Sequence, residues 1–129
     1  MPWGTFDAAE FSPELVTAAR KAWTGAAFQE FRTGAACSAT LQALIEARAP
    51  LDLIALAARF PLDEMVHVEL CARLAAEMGG AAELVYEPQA LVAAAGAGST
   101  PLMRAAHLVV ANFCVGEALS IPLLHGTAR

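Results

Sequence analysis

Positive charge is scarce in these 129 residues: eight Lys and Arg stand against thirteen Asp and Glu, a formal net charge of −5. No basic face can be assembled from so few cations, which excludes a nucleic-acid binder. Charge of either sign is thin, 16% of residues against 57% hydrophobic side chains, whereas disordered and collagen-like chains hold far fewer apolar residues. Cysteine is sparse and odd in number, three in all, which argues against a disulfide scaffold. Long hydrophobic runs are missing too. Mean hydropathy is positive, yet the longest apolar stretch, His107 to Val115, is bounded by Arg104 and Glu117 and falls short of the ~20 residues of a spanning helix. The opening Met1-Pro2-Trp3-Gly4-Thr5-Phe6-Asp7 has neither a basic nor an apolar signal region. The expectation is a soluble cytoplasmic protein that uses neither membrane nor nucleic acid as a partner.

What is present is alanine, leucine and glutamate, with few β-branched runs, which points to helices. The length fits a single domain spanning 1–129 with a real core. Residues 1–11 read as an irregular arm. Ser12-Pro13-Glu14 supplies a cap, a first-turn proline and a first-turn acid, and a helix is expected over 12–48. Its stripe is Leu15, Ala19, Ala22, Ala26, Glu30, Thr33, Cys37, Leu41 and Leu44. Gly25 and Gly34 interrupt that pattern. Ala49-Pro50 ends it, because the residue before proline avoids the α region. A second helix is expected over 50–79, closed by Gly79-Gly80. Its seam, Leu53, Ala57, Phe60, Glu64, His67, Cys71, Leu74 and Met78, alternates steps of four and three. Pro61 should kink it. A linker over 81–100, with a short turn near 90–95, leads to a third helix over 101–125, capped by Thr100 and bent near Pro122. The third stripe is Leu102, Ala106, Val109, Phe113, Glu117 and Leu124.

Each stripe carries one glutamate: Glu30, Glu64 and Glu117, with His67 one turn beyond Glu64. An unpaired buried carboxylate costs several kcal/mol, so three in one core require compensation. The arginines lie off the stripes, and a bound divalent cation is the simpler compensation. Axial heights agree with this. Glu30 lies 19 residues before the turn at Ala49, or ~28 Å along the helix. Glu64 and His67 lie 14 and 17 residues after Pro50, or ~21 and ~26 Å back along the neighbouring helix. Glu117 lies 16 residues past Pro101, or ~24 Å along a third helix that starts at the same end. Glu-x-x-His on one helix, with glutamates from its neighbours, is the ligand set of dinuclear iron or manganese carboxylate sites.

Three segments carry a family likeness: Glu30 with its spacing to Ala49-Pro50, the run Leu62-Asp63-Glu64-Met65-Val66-His67-Val68-Glu69-Leu70-Cys71-Ala72-Arg73-Leu74-Ala75, and Cys114-Val115-Gly116-Glu117-Ala118-Leu119. Over roughly residues 20–125 the sequence resembles the bacterial ferritin-like domain proteins. The resemblance implies an all-α, antiparallel ferritin-like bundle, three of whose long helices lie in this chain while the fourth is missing or supplied by a partner. It also implies that Glu30, Glu64, His67 and Glu117 are metal ligands for two iron ions, or iron and manganese, in oxidoreductase or ferroxidase-type dioxygen chemistry. In that scheme Glu30 and Glu117 each hold one metal, Glu64 bridges, and His67 is terminal. The sequence departs from the family pattern at Phe31, where a histidine is usual, and in lacking a second Glu-x-x-His. Three apolar helices without a fourth imply a homodimer, or another source for the fourth helix. The alternatives are a metal-free structural or interaction module with a degenerate site, and haem or small-ligand binding through His67 alone.

The remaining residues have plainer readings. Cys37, Cys71 and Cys114 are expected as small buried hydrophobes, and Trp23 and the phenylalanines as core or interface packing. Glu69, Arg73 and Glu77 are expected as a solvated charged face. His107 and His125 are expected off the seam and near solvent. Gly96-Ala97-Gly98 lacks the preceding strand and following lysine of a phosphate loop.

Overall fold

The computed structural model describes residues 3–92 and 98–127, apart from the side chains of Gln89, Glu117, Leu123, Leu124 and Thr127. It is all-α: no strand occurs among the described residues.

The first helix, α1 (Pro13–Glu46), starts where Ser12 Oγ accepts the Leu15 N–H at 3.2 Å. It stops two residues earlier than the sequence pattern suggests. Arg48 takes a positive φ of 53°, the left-handed conformation that reverses a chain after a helix end. The expected second helix is two helices, α2 (Leu51–Ala57) and α3 (Phe60–Glu77). Pro61 is the reason: it has no N–H to give the Ala57 carbonyl, and its ring crowds that turn. The Leu62 and Asp63 N–H groups both turn to the Arg59 carbonyl, each at 3.1 Å. Gly79 and Gly80, at φ 99° and 94°, then end α3, with the Gly80 N–H on the Ala75 carbonyl at 3.0 Å.

After α3 the chain returns along α1. The Ala82 N–H donates to Thr24 Oγ1 at 2.9 Å, and the Tyr86 ring lies 4.8 Å from that of Phe28. The two contacts advance together by four residues, so the strap runs parallel to α1, towards the end where the next helix begins. A short 3-10 turn covers Pro88–Ala90; positions 93–95 of the turn expected near 90–95 lie outside the described residues. The third expected helix is also interrupted. Thr100 Oγ1 caps α4 (Pro101–Val109) through the Met103 N–H. A π-helical segment, Val110–Gly116, follows and leads into α5 (Glu117–Thr127), which contains Pro122. The stripe step from Phe113 to Glu117 breaks the alternation of four and three, and the wide π turn re-aims the residues that follow.

The hairpin α1/α3 and the pair α1/α4 are the main packings. Buried positions on α1 are Thr24, Gly34, Cys37, Thr40 and Ala43. From Gly34 onward they recur every third residue, so the buried face drifts by about 60° per step as α1 passes from contact with α3 to contact with α4. The single stripe expected from the sequence does not describe that rotation. Small side chains make it feasible: the cluster under α4 is Ala43, Ala105 and Leu108, flanked by Ala39, Leu44 and Ala47. Polar contacts fix the register, with Arg104 paired to Glu46 and Asn112 Nδ2 donating to Thr40 Oγ1 at 2.9 Å.

By length and composition, one helical run among the described residues, Pro101–Pro122, is apolar enough to cross a membrane. Bounding the apolar stretch at Arg104 and Glu117 hides this, because a spanning window tolerates both. Among the described residues the run is tied to α1 through Arg104–Glu46 and through Asn112, whose Nδ2 donates to Thr40 Oγ1 and to the Ala36 carbonyl.

Gly34 sets the closest approach of α1 and α3. A methyl group there would sit 2.5 Å from Met65 Cε and 3.3 Å from Glu64 Cβ. The first neighbour is the end of a flexible chain, whereas the second is fixed to the helix. Gly34→Ala is therefore expected to stay within about 1 kcal/mol of wild type, its helix propensity offsetting the squeeze. Gly34→Leu should cost roughly 1–3 kcal/mol through overpacking. Urea denaturation of the two variants measures both.

Candidate metal centre

Glu30 stands in the middle of α1, and Glu64 and His67 lie one turn apart on α3. Opposition of Gly34 to Glu64 and of Glu30 to His67 fixes an antiparallel register. The three groups meet at one level, as the axial arithmetic requires. His67 Nδ1 lies 3.3 Å from Glu64 Oε2 and 3.5 Å from Glu30 Oε2. One donor atom from each residue falls within 4.8 Å of the other two.

Burial grades across the cluster. The Glu64 side chain is 12% exposed, Glu30 34% and His67 54%. Glu64 is thus the inner member, wedged where Gly34 lets the helices close, and His67 is the outer one. Desolvation pushes the Glu64 carboxyl above its ordinary pKa. A hydrogen bond and charge repulsion from Glu30 add to the rise, and His67 opposes it. The Cys71 thiol, one turn beyond His67, is also raised, first by burial and then by the Glu30 charge.

The fourth candidate, Glu117, opens α5, but its side chain lies outside the described residues. Its backbone level can still be read. The run faces α1 antiparallel, from Arg104 on α4 beside Glu46 to Asn112 in the π segment beside Thr40 and Ala36; an unbroken register would bring position 117 to about the level of position 33.

Other side chains depart from expectation. Cys37 is buried, but Cys71 is half-buried and Cys114 exposed; the π segment turns Cys114 outward. Trp23 and Phe31 are partly exposed. Phe60 and Phe113 do pack, with centroids 4.8 Å apart. His107 and His125 are exposed. Arg73 pairs with Glu69 and lies under the Trp3 ring, while Glu77 accepts the Gly4 N–H at 2.7 Å. That charged face therefore anchors the N-terminal arm. Gly34 belongs to the site and has no ligand chemistry; its signal in the sequence is a glycine one turn after Glu30 inside an otherwise strong helix.

Comparison with protein-family models, with characterised proteins and with solved structures finds no match to this chain.

The raised Glu64 pKa has a definite sign for stability. The unfolded chain loses this proton near pH 4.3, and the folded chain keeps it to a higher pH. Between those values the unfolded state binds fewer protons, so stability falls as pH rises. Without divalent cations, melting temperature should decline above about pH 4.3 and then level off. Glu64→Gln should flatten that decline and melt higher at pH 7. Thermal melts from pH 4 to 8 measure it.

Proposed function

We propose that this chain is a ferritin-like metal-binding protein whose Glu30, Glu64 and His67 hold iron, or iron and manganese, at a carboxylate-bridged site. The supporting observation is the donor set itself: two carboxylates and an imidazole from two helices, with one donor atom of each within 4.8 Å of the others. Carboxylate oxygen with imidazole nitrogen suits these metals, and helix bundles hold dinuclear centres this way. The donors also fit electrostatically: burial and then the neighbouring Glu30 disfavour the Glu64 charge, and a bound cation would favour it.

The residues divide the work by position. Glu64, the most buried, lies beside the imidazole and near the Glu30 carboxylate, and would be the carboxylate shared between ions; Glu30 and His67 would each hold one, and Glu117 is the donor that the third helix would add. Such a metal pair supplies dioxygen or ferroxidase-type redox chemistry when bound. The exposed His67 edge leaves the cluster reachable from solvent, as a small reactant or an incoming ion requires. Phe31, at the position where ferritin-like proteins carry a further histidine, is partly exposed, so this chain holds the site with fewer nitrogen donors.

A metal-free helical module is the second reading, and one observation favours it. His67 already lies close to both carboxylates, and a protonated imidazole would neutralise part of their charge.

Elemental analysis by inductively coupled plasma, after anaerobic loading with Fe²⁺ or Mn²⁺ and desalting, separates the two. Wild type should retain metal, and the double variant Glu64→Ala, His67→Ala should lose at least tenfold. Equal retention by both proteins defeats the ligand assignment, and no retention by wild type leaves the module.

A further inference from the structure

We propose that the run from α4 to α5 lies on a lipid bilayer, in its interface rather than across it. The contact is an apolar strip that faces away from α1.

The strip follows from the residue count along the run. Leu102, Ala106, Val110, Cys114 and Ala118 recur at every fourth position. Met103, His107, Val115 and Leu119 form a second row beside them, with half-buried Ala111 at its middle. The other nine are exposed, Leu102 to 69% and Leu119 to 64%. In an unbroken α-helix a row of every fourth residue drifts by about 40° per step, and so long a strip would wind off its face. The π segment Val110–Gly116 closes its hydrogen bonds one residue further on, which sets that drift back. The strip therefore runs nearly straight for about 25 Å.

Contacts on the other side fix where it points. Arg104, Leu108 and Asn112 lie two positions beyond Leu102, Ala106 and Val110. Arg104 pairs with Glu46, Leu108 packs in the cluster of Ala43, and Asn112 donates to Thr40. Those three face α1, so the strip looks outward.

Its chemistry fits lipid rather than protein. None of its residues is Asp, Glu, Lys or Arg, and the His107 ring is its one strong hydrogen-bonding side chain. A protein interface makes about one hydrogen bond per 100–200 Å², whereas acyl chains require none. The run Pro101–Pro122 is apolar enough to cross a membrane, and little of it is buried. The ties of Arg104 and Asn112 hold it on α1, which leaves the interfacial position, apolar face down by roughly 5–10 Å. Charge agrees. Twelve of the thirteen acidic residues precede Pro88, so the charge that anionic headgroups repel sits almost wholly on other elements. Without a basic face, binding draws on apolar area alone, and neutral lipid suffices.

Flotation of the full chain with phosphatidylcholine vesicles, and with vesicles of phosphatidylcholine and phosphatidylglycerol in equal parts, tests the proposal. Wild type should float with the neutral vesicles, and phosphatidylglycerol should not strengthen binding. The double variant Val110→Glu, Leu119→Glu should stay helical by circular dichroism and bind at least tenfold more weakly. Leu62→Glu, at an exposed apolar position of α3, should float as wild type does. A polarity-sensitive fluorophore on Cys114, in a Cys71→Ser background, should shift to the blue when vesicles are added; this readout stands even if the double variant fails to fold. Absence of flotation with either vesicle overturns the proposal, as does flotation that requires phosphatidylglycerol. Binding that leaves the Cys114 probe unmoved, or that the folded double variant retains, places the contact on another surface and overturns it too. A wild type that does not float but sediments as a dimer, which the double variant dissociates, means that a second copy covers the strip.

Discussion

Two carboxylates held within a few ångströms on facing helices repel each other, and the more buried of them, Glu64, is also cut off from water. The helices nevertheless close tightly at this level, because Gly34 removes the side chain that would hold them apart. Packing therefore drives together groups that electrostatics would separate. His67 opposes the rise at Glu64 in part; a divalent cation, as proposed above, would offset the two negative charges more fully. The rest of the site follows from this tension. Burial raises the Glu64 carboxyl first, and the charge of Glu30 adds to that rise and to the smaller part of the rise at Cys71.

The α1/α3 half of the structure was legible in the sequence because its signals are local and periodic. The Ser12-Pro13 cap, the Pro50 break, the seam from Leu53 to Met78 and the Gly79-Gly80 stop each act within a turn or two. Counting rises from the Ala49-Pro50 turn was enough to bring Glu30 to the level of Glu64 and His67. Pro61 was seen as a kink, and it is a full break between α2 and α3, since the lost hydrogen bond comes just one turn after the proline-started α2.

The other half was less legible for reasons that lie in tertiary packing. The buried face of α1 rotates as its partner changes from α3 to α4, so no single stripe describes it, and the residues on the turning face (Gly34, Thr40 and Ala43) are small or polar and carry little hydrophobic signal. The π segment at Val110–Gly116 sits where the third stripe has an extra residue in its step, a break in rhythm that a count of apolar positions passes over. It turns Cys114 outward against expectation. The apolar character of Pro101–Pro122 is likewise ambiguous in composition, which admits a membrane; the structure ties the run to α1 through Arg104 with Glu46 and Asn112 with Thr40.

X-ray absorption at the iron edge of the anaerobically loaded protein tests the convergence of Glu30, Glu64 and His67 on a cation most directly. The expected shell contains oxygen and nitrogen only, with the multiple scattering of an imidazole that disappears in His67→Ala. A sulfur neighbour would move the metal to a cysteine such as Cys71. A fully hydrated ion without an imidazole signature would mean that the two carboxylates and the histidine answer only to one another.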